Sequence, residues 1–293
     1  MIKSTSETLW LRTSAVLGAG TMGSGIAYIS ALAGLQTRQY DPLLSALHKA
    51  QAYHEQTLSR AVNKQRLTQA AADAALACLS YHDDLADAVH GVDLVIEAAP
   101  EQIMLKQDLF RQIETLVEPT TIIGSNTSSL PITELASVLG HRDRAIGIHF
   151  FNPPALMTLV EIIPGMDTAP ATVATVEAFT RQAGKDPVIV KDYPGFITTR
   201  VGLMYVAEAI FALQEGVAER DALDKAMRLG YNFPMGPLQL ADLVGLDVML
   251  NVLDALFENY RDARYRAPIL LRKMVQAGKL GRKTGEGFYR YAE

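Results

Sequence analysis

Residues 13–23 read TSAVLGAGTMG, and this stretch decides the fold of the chain. Its first five residues form an apolar run that predicts a β-strand, and a helical pattern follows the glycine-rich turn. In this turn Gly18 allows a tight bend, Gly20 lets a pyrophosphate approach the backbone, and Gly23 lets the helix pack close to the strand. The N-terminus of the helix then faces the phosphates. The stretch therefore predicts the first half of a dinucleotide-binding βαβ unit.

A second strand, predicted over Leu35–Tyr40, ends at Asp41, roughly the 20 residues beyond the glycine turn at which such units carry an acidic residue. A carboxylate there accepts hydrogen bonds from the ribose hydroxyls of adenosine and repels a 2′-phosphate, which favours NAD over NADP. Arg38 does not change this preference, because strand alternation places it on the face opposite Asp41. The alternative for Asp41 is a cap on the helix that follows Pro42. The complete βαβ unit favours the cofactor role.

Three further apolar runs predict the remaining parallel strands of the sheet. They are Ala77–Tyr81, Asp93–Glu97 and Thr121–Ser125. Nearly all-apolar strands are expected where helices cover both faces of a sheet. Two predicted helices over Leu43–Ala75 form an excursion that carries Thr57 and Lys64 on one side of the first helix, although a solvated helical face is the ordinary explanation for such residues. We therefore predict an α/β fold with a Rossmann-type, doubly wound sheet and a helical excursion.

Polar residues gather in the loops that follow these strands. Glu101 comes after one buried strand, and Ser128 and Ser129 come after the next. Either Ser128 or Ser129 is placed to cap a helix that begins at Ile132, and capping alone would account for these serines. However, these loops lie at the carboxyl ends of parallel strands, where open α/β sheets bind ligands.

Residues 146–161 read IGIHFFNPPALMTLVE and pair a histidine with a carboxylate. The apolar run Ala145–Ile148 delivers His149 at the end of a predicted strand, and a second run, Leu159–Ile163, carries Glu161. Two prolines between the runs force the chain to turn, so that the two side chains can meet. A histidine oriented by a buried carboxylate is a general base. The alternative is a core histidine satisfied by the backbone, but His149 arrives at the ligand-binding edge, which favours catalysis.

Composition limits the class of protein. The chain has 293 residues, 49% of them hydrophobic, which is enough for two domains with buried cores. Its net charge of −5 argues against nucleic acid or an anionic membrane as a partner. Cys78 is the only cysteine, which excludes an intrachain disulfide and a cysteine-based metal site, and we predict no metal. The start lacks an apolar signal core, and no run approaches the ~18 apolar residues of a membrane span. We expect a soluble, cytoplasmic protein.

A turn at Pro194-Gly195 predicts a domain boundary. Residues 1–193 are predicted to form the NAD-binding domain, which ends with a helix over Ala171–Ala183 and a strand over Val188–Val190. Residues 194–293 are predicted to form a smaller all-α domain. Its predicted helices are Phe196–Leu213, Ala218–Leu229, Gly236–Leu256 and Ala267–Ala277. Their apolar stripes favour oligomerisation, with core packing as the default alternative.

Together these motifs closely resemble the L-3-hydroxyacyl-CoA dehydrogenase family, which includes the bacterial 3-hydroxybutyryl-CoA dehydrogenases. The likeness runs from Ser14 to Tyr291, and its markers are GAGTMG, DLVIEAAPE, SNTSSL, HFFNP, DYPGF, MRLGYNFPMGPLQLADLVGLD and LGRKTGEGFY. The combination of HFFNP with SNTSSL ahead of it and PMGP behind it is far more specific than the glycine pattern. The resemblance implies NAD-dependent oxidation of (S)-3-hydroxyacyl-CoA to 3-ketoacyl-CoA in fatty-acid β-oxidation, by a homodimer. It also implies that the all-α domain, residues 194–293, serves substrate binding and dimerisation.

The resemblance also implies roles for individual residues. His149 would be the catalytic base and Glu161 its partner, while Ser128 would contact the substrate oxygen. Thr57 and Lys64 match positions that hold the phosphate end of CoA, with threonine in place of the more usual serine. The residues implied to contact NAD are Gly18, Gly20, Thr21, Met22, Gly23, Asp41, Glu101, Lys106, Asn126, Asn152 and Lys283.

One position departs from the family pattern. The family usually has an asparagine before the arginine of its PGF-x-x-N-R segment, where the amide helps to bind the substrate, and this chain has Thr199 before Arg200. Threonine is shorter and loses the second donor of the amide. Either it reaches the substrate through a water, or the pocket suits a different acyl group. Because a donor to developing charge is worth orders of magnitude in rate, low activity on the usual substrate is one expectation.

Two other functions are compatible with the same sequence. One is a dehydrogenase of this architecture that acts on a non-CoA hydroxy acid, such as a carnitine-like or sugar-acid substrate. The other is a non-catalytic NAD-binding module, against which the intact His149 and Glu161 argue. Lys64 distinguishes a CoA substrate from a non-CoA hydroxy acid, because only the CoA substrate has a phosphate end for this lysine to hold.

Overall fold

The computed structural model describes residues 11–291. It divides into two compact units, of which the first ends at Tyr193 and the second begins at Pro194. The first ten residues, where the sequence predicts no signal peptide, and the last two lie outside the described residues. No helix between residues 11 and 291 has the length and apolar character needed to cross a membrane.

The first unit is an eight-stranded sheet with its connecting helices. Its strands are β1 (Thr13–Leu17), β2 (Gln36–Tyr40), β3 (Leu79–His82), β4 (Leu94–Glu97), β5 (Ile122–Ser125), β6 (Ala145–Phe150), β7 (Leu159–Pro164) and β8 (Asp186–Ile189). Its helices are α1 (Thr21–Leu32), α2 (Leu44–Asn63), α3 (Gln69–Ala77), α4 (Leu85–Val89), α5 (Ile103–Leu116), α6 (Ile132–Ala136) and α7 (Pro170–Gln182).

The strands lie in the order β3-β2-β1-β4-β5-β6-β7-β8. Neighbouring strands are parallel except for β6 and β7, which are antiparallel. The first six strands have the order of a doubly wound dinucleotide-binding sheet, which confirms the predicted fold class. Strand order reverses beside β1, so the glycine turn lies where such sheets bind their ligands.

Burial on both faces explains the apolar sequence of the central strands. Leu94, Val95 and Ile96 of β4 are all fully buried. Each such side chain contributes about 1.5–3 kcal/mol through removal of apolar surface from water. A strand with one solvated face would instead alternate polar and apolar residues.

Two strand boundaries were predicted wrongly: β8 covers Asp186–Ile189 where the sequence predicts Val188–Val190, and β3 starts later than predicted. The predicted strand over Ala77–Tyr81 begins inside a helix, because α3 continues through Ala77 and β3 starts at Leu79. The segment before it, QAAADAALA, is alanine-rich, and alanine has the highest helix propensity. The helix therefore extends two residues further than the apolar pattern indicates.

A buried histidine fixes the helical excursion to the sheet. His54 of α2 is fully buried; its Nε2 lies 2.8 Å from the carbonyl oxygen of Ser24 in α1, and its Nδ1 lies 2.8 Å from the Tyr81 hydroxyl in β3. A carbonyl only accepts, so Nε2 carries the proton and Nδ1 accepts from Tyr81. Burial lowers the pKa of His54 and raises the pKa of Tyr81 to about 12, so the bonded form has a neutral ring and a protonated hydroxyl.

This histidine makes the fold sensitive to acid. Its pKa is about 6.5 when the chain is unfolded and lower in the folded protein, so the unfolded state binds the proton first as pH falls. We therefore expect the free energy of unfolding to fall below pH ~6.5, by at most about 1.4 kcal/mol per pH unit, until the folded pKa is reached. Urea unfolding at several pH values measures this slope. The slope should decrease in His54→Gln and persist in His48→Gln, an exposed histidine on the same helix; equal slopes in all three proteins would contradict the assignment.

The second unit is built from helices. They are α8 (Thr198–Gln214), α9 (Arg220–Gly230), α10 (Pro237–Val244), α11 (Leu246–Tyr260) and α12 (Ile269–Gln276). The single helix predicted over Gly236–Leu256 is wrong, because the chain breaks at Gly245 with φ +103°. That conformation lies outside the helical region and favours glycine, so α10 must end before it.

Two buried aspartates connect the parts of the second unit. Asp224 accepts hydrogen bonds from two backbone N–H groups in the first turn of α10. Asp242 of α10 accepts from the backbone N–H groups of Phe288 and Tyr289 in the C-terminal segment. Because a buried carboxylate is costly unless it is hydrogen-bonded, these contacts specify where the LGRKTGEGFY segment packs.

Candidate active site

The glycine turn leaves room above the N-terminus of α1. Gly18 has φ +106°, and a Cβ on Gly23 would lie 1.9 Å from the carbonyl oxygen of Gly18, so both positions require glycine. Gly20 differs, because a Cβ there would meet nothing within 4 Å. No side chain caps the first turn of α1, so none competes with an anion for its backbone N–H groups. The turn therefore fits the pyrophosphate of a dinucleotide.

Asp41 is oriented by the backbone around the glycine turn. Its Oδ2 accepts a hydrogen bond from the N–H of Ala19 at 2.9 Å, and its Oδ1 accepts from the N–H of Leu43 at 2.9 Å. The second bond closes a local turn before α2. It does not cap α2, because Leu43 precedes the first helical residue, Leu44. Arg38 donates instead to two backbone carbonyls in the α4 segment.

A buried ion pair supports the loops after β4 and β5. Nζ of Lys106 lies 2.7 Å from Oε1 of Glu97, and both side chains are almost completely buried. Lys106 also donates to the Ala99 carbonyl, and the Ser125 hydroxyl donates to Glu97. These added bonds offset the desolvation of two charges. Sequence reasoning did not select Glu97, although a carboxylate at the end of an otherwise apolar strand was the available signal.

Glu101 organises the SNTSS loop. One of its carboxylate oxygens accepts from the Thr127 hydroxyl (2.6 Å), the N–H of Ser128 (2.9 Å), and the N–H and hydroxyl of Ser129 (both 3.1 Å). Burial raises the pKa of Glu101, but Lys106 at 3.4 Å and these donors outweigh it and lower the pKa below its ordinary value. The ionised carboxylate thereby determines where the loop holds Ser128.

The alternative role of Ser128 or Ser129 as a helix cap is wrong. Helix α6 begins at Ile132, and its first N–H groups are bound by the carboxylate of Asp192, at 2.8 Å from Ile132 and 2.7 Å from Thr133. Asp192 lies 60 residues further along the chain than Ile132, so no local pattern indicates the contact. The backbone at Ser128 and Ser129 turns around Glu101 instead.

The histidine and the carboxylate meet as predicted. His149 of β6 and Glu161 of β7 are direct partners in the antiparallel register, and Nδ1 lies 2.8 Å from Oε2. Both side chains are buried, with 5% and 1% exposed. A carboxylate accepts, so Nδ1 carries the proton and Nε2 is the basic nitrogen of the neutral ring. The ring of Phe151 packs on the imidazole with 4.5 Å between centroids.

The turn after β6 lies against α1. A Cβ on Gly25 of α1 would come within 2.7 Å of the ring of Pro154, so glycine is needed for this close approach. The turn carries Asn152, which is exposed. Asn126, at the end of β5, accepts a hydrogen bond from the N–H of Phe150 at 2.9 Å. The ends of β5 and β6 and the helix of the glycine turn therefore form one continuous region of the first unit.

Four of the residues implied by the resemblance belong to other elements of the chain. Thr57 is on α2, and Lys64 is exposed directly after the end of that helix. In the second unit, Thr199 lies in the first turn of α8, and Lys283 forms an ion pair with Asp247 at 2.6 Å. Within residues 11–291, no group of three or more His, Cys, Asp or Glu side chains is placed to hold a metal ion.

The fold and this region define a class of protein. A Rossmann-type sheet with an open glycine turn, an oriented carboxylate after β2 and a buried histidine–glutamate pair is the architecture of an NAD-dependent oxidoreductase with a general base. Residues 13–193 match the 3-hydroxyacyl-CoA dehydrogenase NAD binding domain, and residues 195–291 match the C-terminal domain of the same family. The chain belongs to the 3-hydroxyacyl-CoA dehydrogenase family, whose members are enzymes that use NAD as cofactor.

Relatives match over nearly the whole chain. The 3-hydroxybutyryl-CoA dehydrogenase of Bradyrhizobium diazoefficiens is 43% identical over 279 residues, covering 94% of each protein. That of Clostridioides difficile is 41% identical over 280 residues, covering 94% of this chain and 98% of the relative. The crystal structure of (S)-3-hydroxybutyryl-CoA dehydrogenase PaaH1 from Ralstonia eutropha, 44% identical, superposes with a TM-score of 0.94 and covers 97% of this chain and 100% of that one.

Proposed function

We propose that this enzyme interconverts (S)-3-hydroxybutyryl-CoA and acetoacetyl-CoA with NAD, and that His149 is the general base. The pair of His149 and Glu161 carries the proposal, because its buried 2.8 Å bond prepares a base in the unit that holds the glycine turn. The names of the bacterial relatives support a short acyl chain. We further propose a cytoplasmic homodimer that acts in fatty-acid β-oxidation. Exposed apolar residues such as Val201, Leu229 and Tyr231 support dimerisation through the second unit.

In the proposed reaction, Nε2 of His149 accepts the proton of the 3-hydroxyl group as hydride leaves C3. Glu161 holds the Nδ1–H tautomer and stabilises the imidazolium that forms. NAD, when bound, supplies the hydride chemistry. Ser128 and Thr199 orient the substrate oxygens. Because His149 and Glu161 are buried, water screens their interaction little.

The cofactor is proposed to lie along the glycine turn. Gly20 and the first turn of α1, which includes Thr21 and Met22, would receive the pyrophosphate, and Asp41 would accept hydrogen bonds from the ribose hydroxyls. The residues proposed to complete the site are Glu101, Lys106, Asn126, Asn152 and Lys283. Lys106 is buried and bound to carboxylate and carbonyl oxygens, so it contributes by orienting Glu101.

Lys64 tests whether the substrate carries CoA. We propose that Thr57 and Lys64 hold its phosphate end. Loss of a charged hydrogen bond costs about 1.5–3 kcal/mol, so Lys64→Ala should raise KM for acetoacetyl-CoA about tenfold or more. KM for the N-acetylcysteamine thioester, which lacks the nucleotide, should not change. Lys49→Ala, which removes an exposed lysine of α2, is the control. An unchanged KM for acetoacetyl-CoA would contradict the CoA site.

The experiment that tests the function is oxidation of NADH at 340 nm with acetoacetyl-CoA, repeated with NADPH and with Thr199→Asn. Fast turnover with NADH and little with NADPH is the expected result. Turnover that appears only in Thr199→Asn would mean that the pocket accepts another acyl group. Absence of turnover in both proteins would overturn the proposed substrate.

A further inference from the structure

The turn between β6 and β7, residues 151–158, is held on two sides. On one side Pro154 packs against α1 at Gly25. On the other side Nζ of Lys185 donates to the backbone carbonyl oxygens of Pro154 at 2.6 Å and of Met157 at 2.8 Å. Lys185 has no role in the reaction described above.

The end of α7 places this lysine. Gly184 follows the helix with φ +70°, a conformation that favours glycine, and its N–H bonds to the Arg181 carbonyl. The N–H of Lys185 returns to Thr180 at 3.0 Å, and the N–H of Asp186 bonds to Thr158 at 2.8 Å as β8 begins. The junction of α7 and β8 therefore binds three carbonyl oxygens of the turn.

In the described part of the chain, the ammonium group of Lys185 bonds only to the carbonyl oxygens of Pro154 and Met157. Between residues 11 and 291 no carboxylate forms an ion pair with it, and burial lowers the pKa of its ammonium group. Hydrogen bonds from an ionised donor are shorter and stronger than bonds between neutral groups. Surface lysines usually remain in water, so a partly buried ammonium directed at two carbonyls indicates a positioning role.

We propose that Lys185 is a positioning residue that holds the turn in its catalytic conformation. The turn carries Phe151, whose ring packs on His149, and Asn152, which the proposed function places near the nicotinamide. Lys185 thereby fixes the positions of Phe151 and Asn152 on the nicotinamide side of the site. It acts through these residues and does not touch the reacting atoms. This inference rests on the proposed function for the role of Asn152.

The test compares Lys185→Met with Lys185→Arg and with Lys225→Met, a lysine exposed on α9. We measure kcat and KM with acetoacetyl-CoA, together with Kd for NADH and for ADP-ribose, which lacks the nicotinamide. In Lys185→Met, kcat should fall about tenfold or more, because small displacements of positioning groups cost that much. Kd for NADH should rise while Kd for ADP-ribose stays unchanged. Lys185→Arg should recover most of both losses, since guanidinium also donates to two carbonyls, and Lys225→Met should match the wild type.

Wild-type kcat and NADH affinity in Lys185→Met would overturn the proposal. A parallel loss of NADH and ADP-ribose binding would also overturn the proposal, because such a loss would show that the whole first unit is disrupted. If Lys185→Met does not fold, Lys185→Gln, which keeps one amide donor group, is measured in the same way. If the wild type does not turn over acetoacetyl-CoA, the proposed function fails, whereas the ratio of the two affinities still tests Lys185.

Discussion

The His149→Ala variant is expected to lose about 10²- to 10⁴-fold in kcat, the usual contribution of a general base, while it binds NADH as tightly as the wild type. The imidazole is the only part of the pair that reaches the substrate proton in the proposed reaction. Alanine also leaves the Glu161 carboxylate in a buried place without the His149 donor. Steady-state rates at 340 nm and NADH fluorescence titration measure the two quantities separately.

Two further variants make this test specific. Glu161→Gln keeps an acceptor for Nδ1–H but removes the charge that stabilises the imidazolium, so we expect a loss of about 10²-fold. His141→Ala removes an exposed histidine of the same unit and should have wild-type kcat. If His149→Ala retained most of its turnover, the base would have to be another residue.

The Gly20→Ala variant should fold like the wild type and yet fail to bind NADH. A Cβ at this position meets nothing within 4 Å, and φ is −75°, so the substitution does not strain the protein. The methyl group would occupy the space through which the pyrophosphate approaches the backbone. We expect Kd for NADH to rise about 100-fold, equivalent to about 2.7 kcal/mol, with Tm nearly unchanged.

Gly23→Ala and Gly202→Ala are the comparison variants for Gly20→Ala. At Gly23 the new Cβ would lie 1.9 Å from a backbone oxygen, so Tm and NADH affinity should fall together. At Gly202, in α8, nothing lies within 4 Å, and neither quantity should decrease. Wild-type NADH affinity in Gly20→Ala would mean that the dinucleotide lies elsewhere.

Features that depend on neighbouring residues could be predicted from the sequence. The glycine turn follows its strand directly, so local apolar and glycine patterns were sufficient. His149 and Glu161 were also predictable as a pair, because only 12 positions and two prolines separate them and the strands must reverse. The break at Gly245 was not predicted, although the sequence has Gly245 followed two residues later by Asp247.

Contacts between distant segments could not be predicted. Asp192 binds the N-terminus of α6, and Lys185 binds the turn after β6 from 31 residues away. In both cases the partners are backbone groups, which every residue has, so the residue pattern at Ile132 or Pro154 carries no sign of them. The role of Lys106 as support for Glu101 likewise depends on its burial, which only the folded chain reveals.

The antiparallel pairing of β6 and β7 also bears on how this protein can change over generations. Side chains alternate between the faces of a strand, so a slip of one residue in the pairing would turn Glu161 away from His149. The strands therefore tolerate no insertion or deletion, and the turn that joins them is restrained in length as well, because Pro154 packs on Gly25 and Lys185 binds its carbonyl oxygens. Mutational drift at this end of the site is thus expected to exchange exposed side chains, such as those of residues 156–158, while the lengths of both strands and of the turn stay fixed.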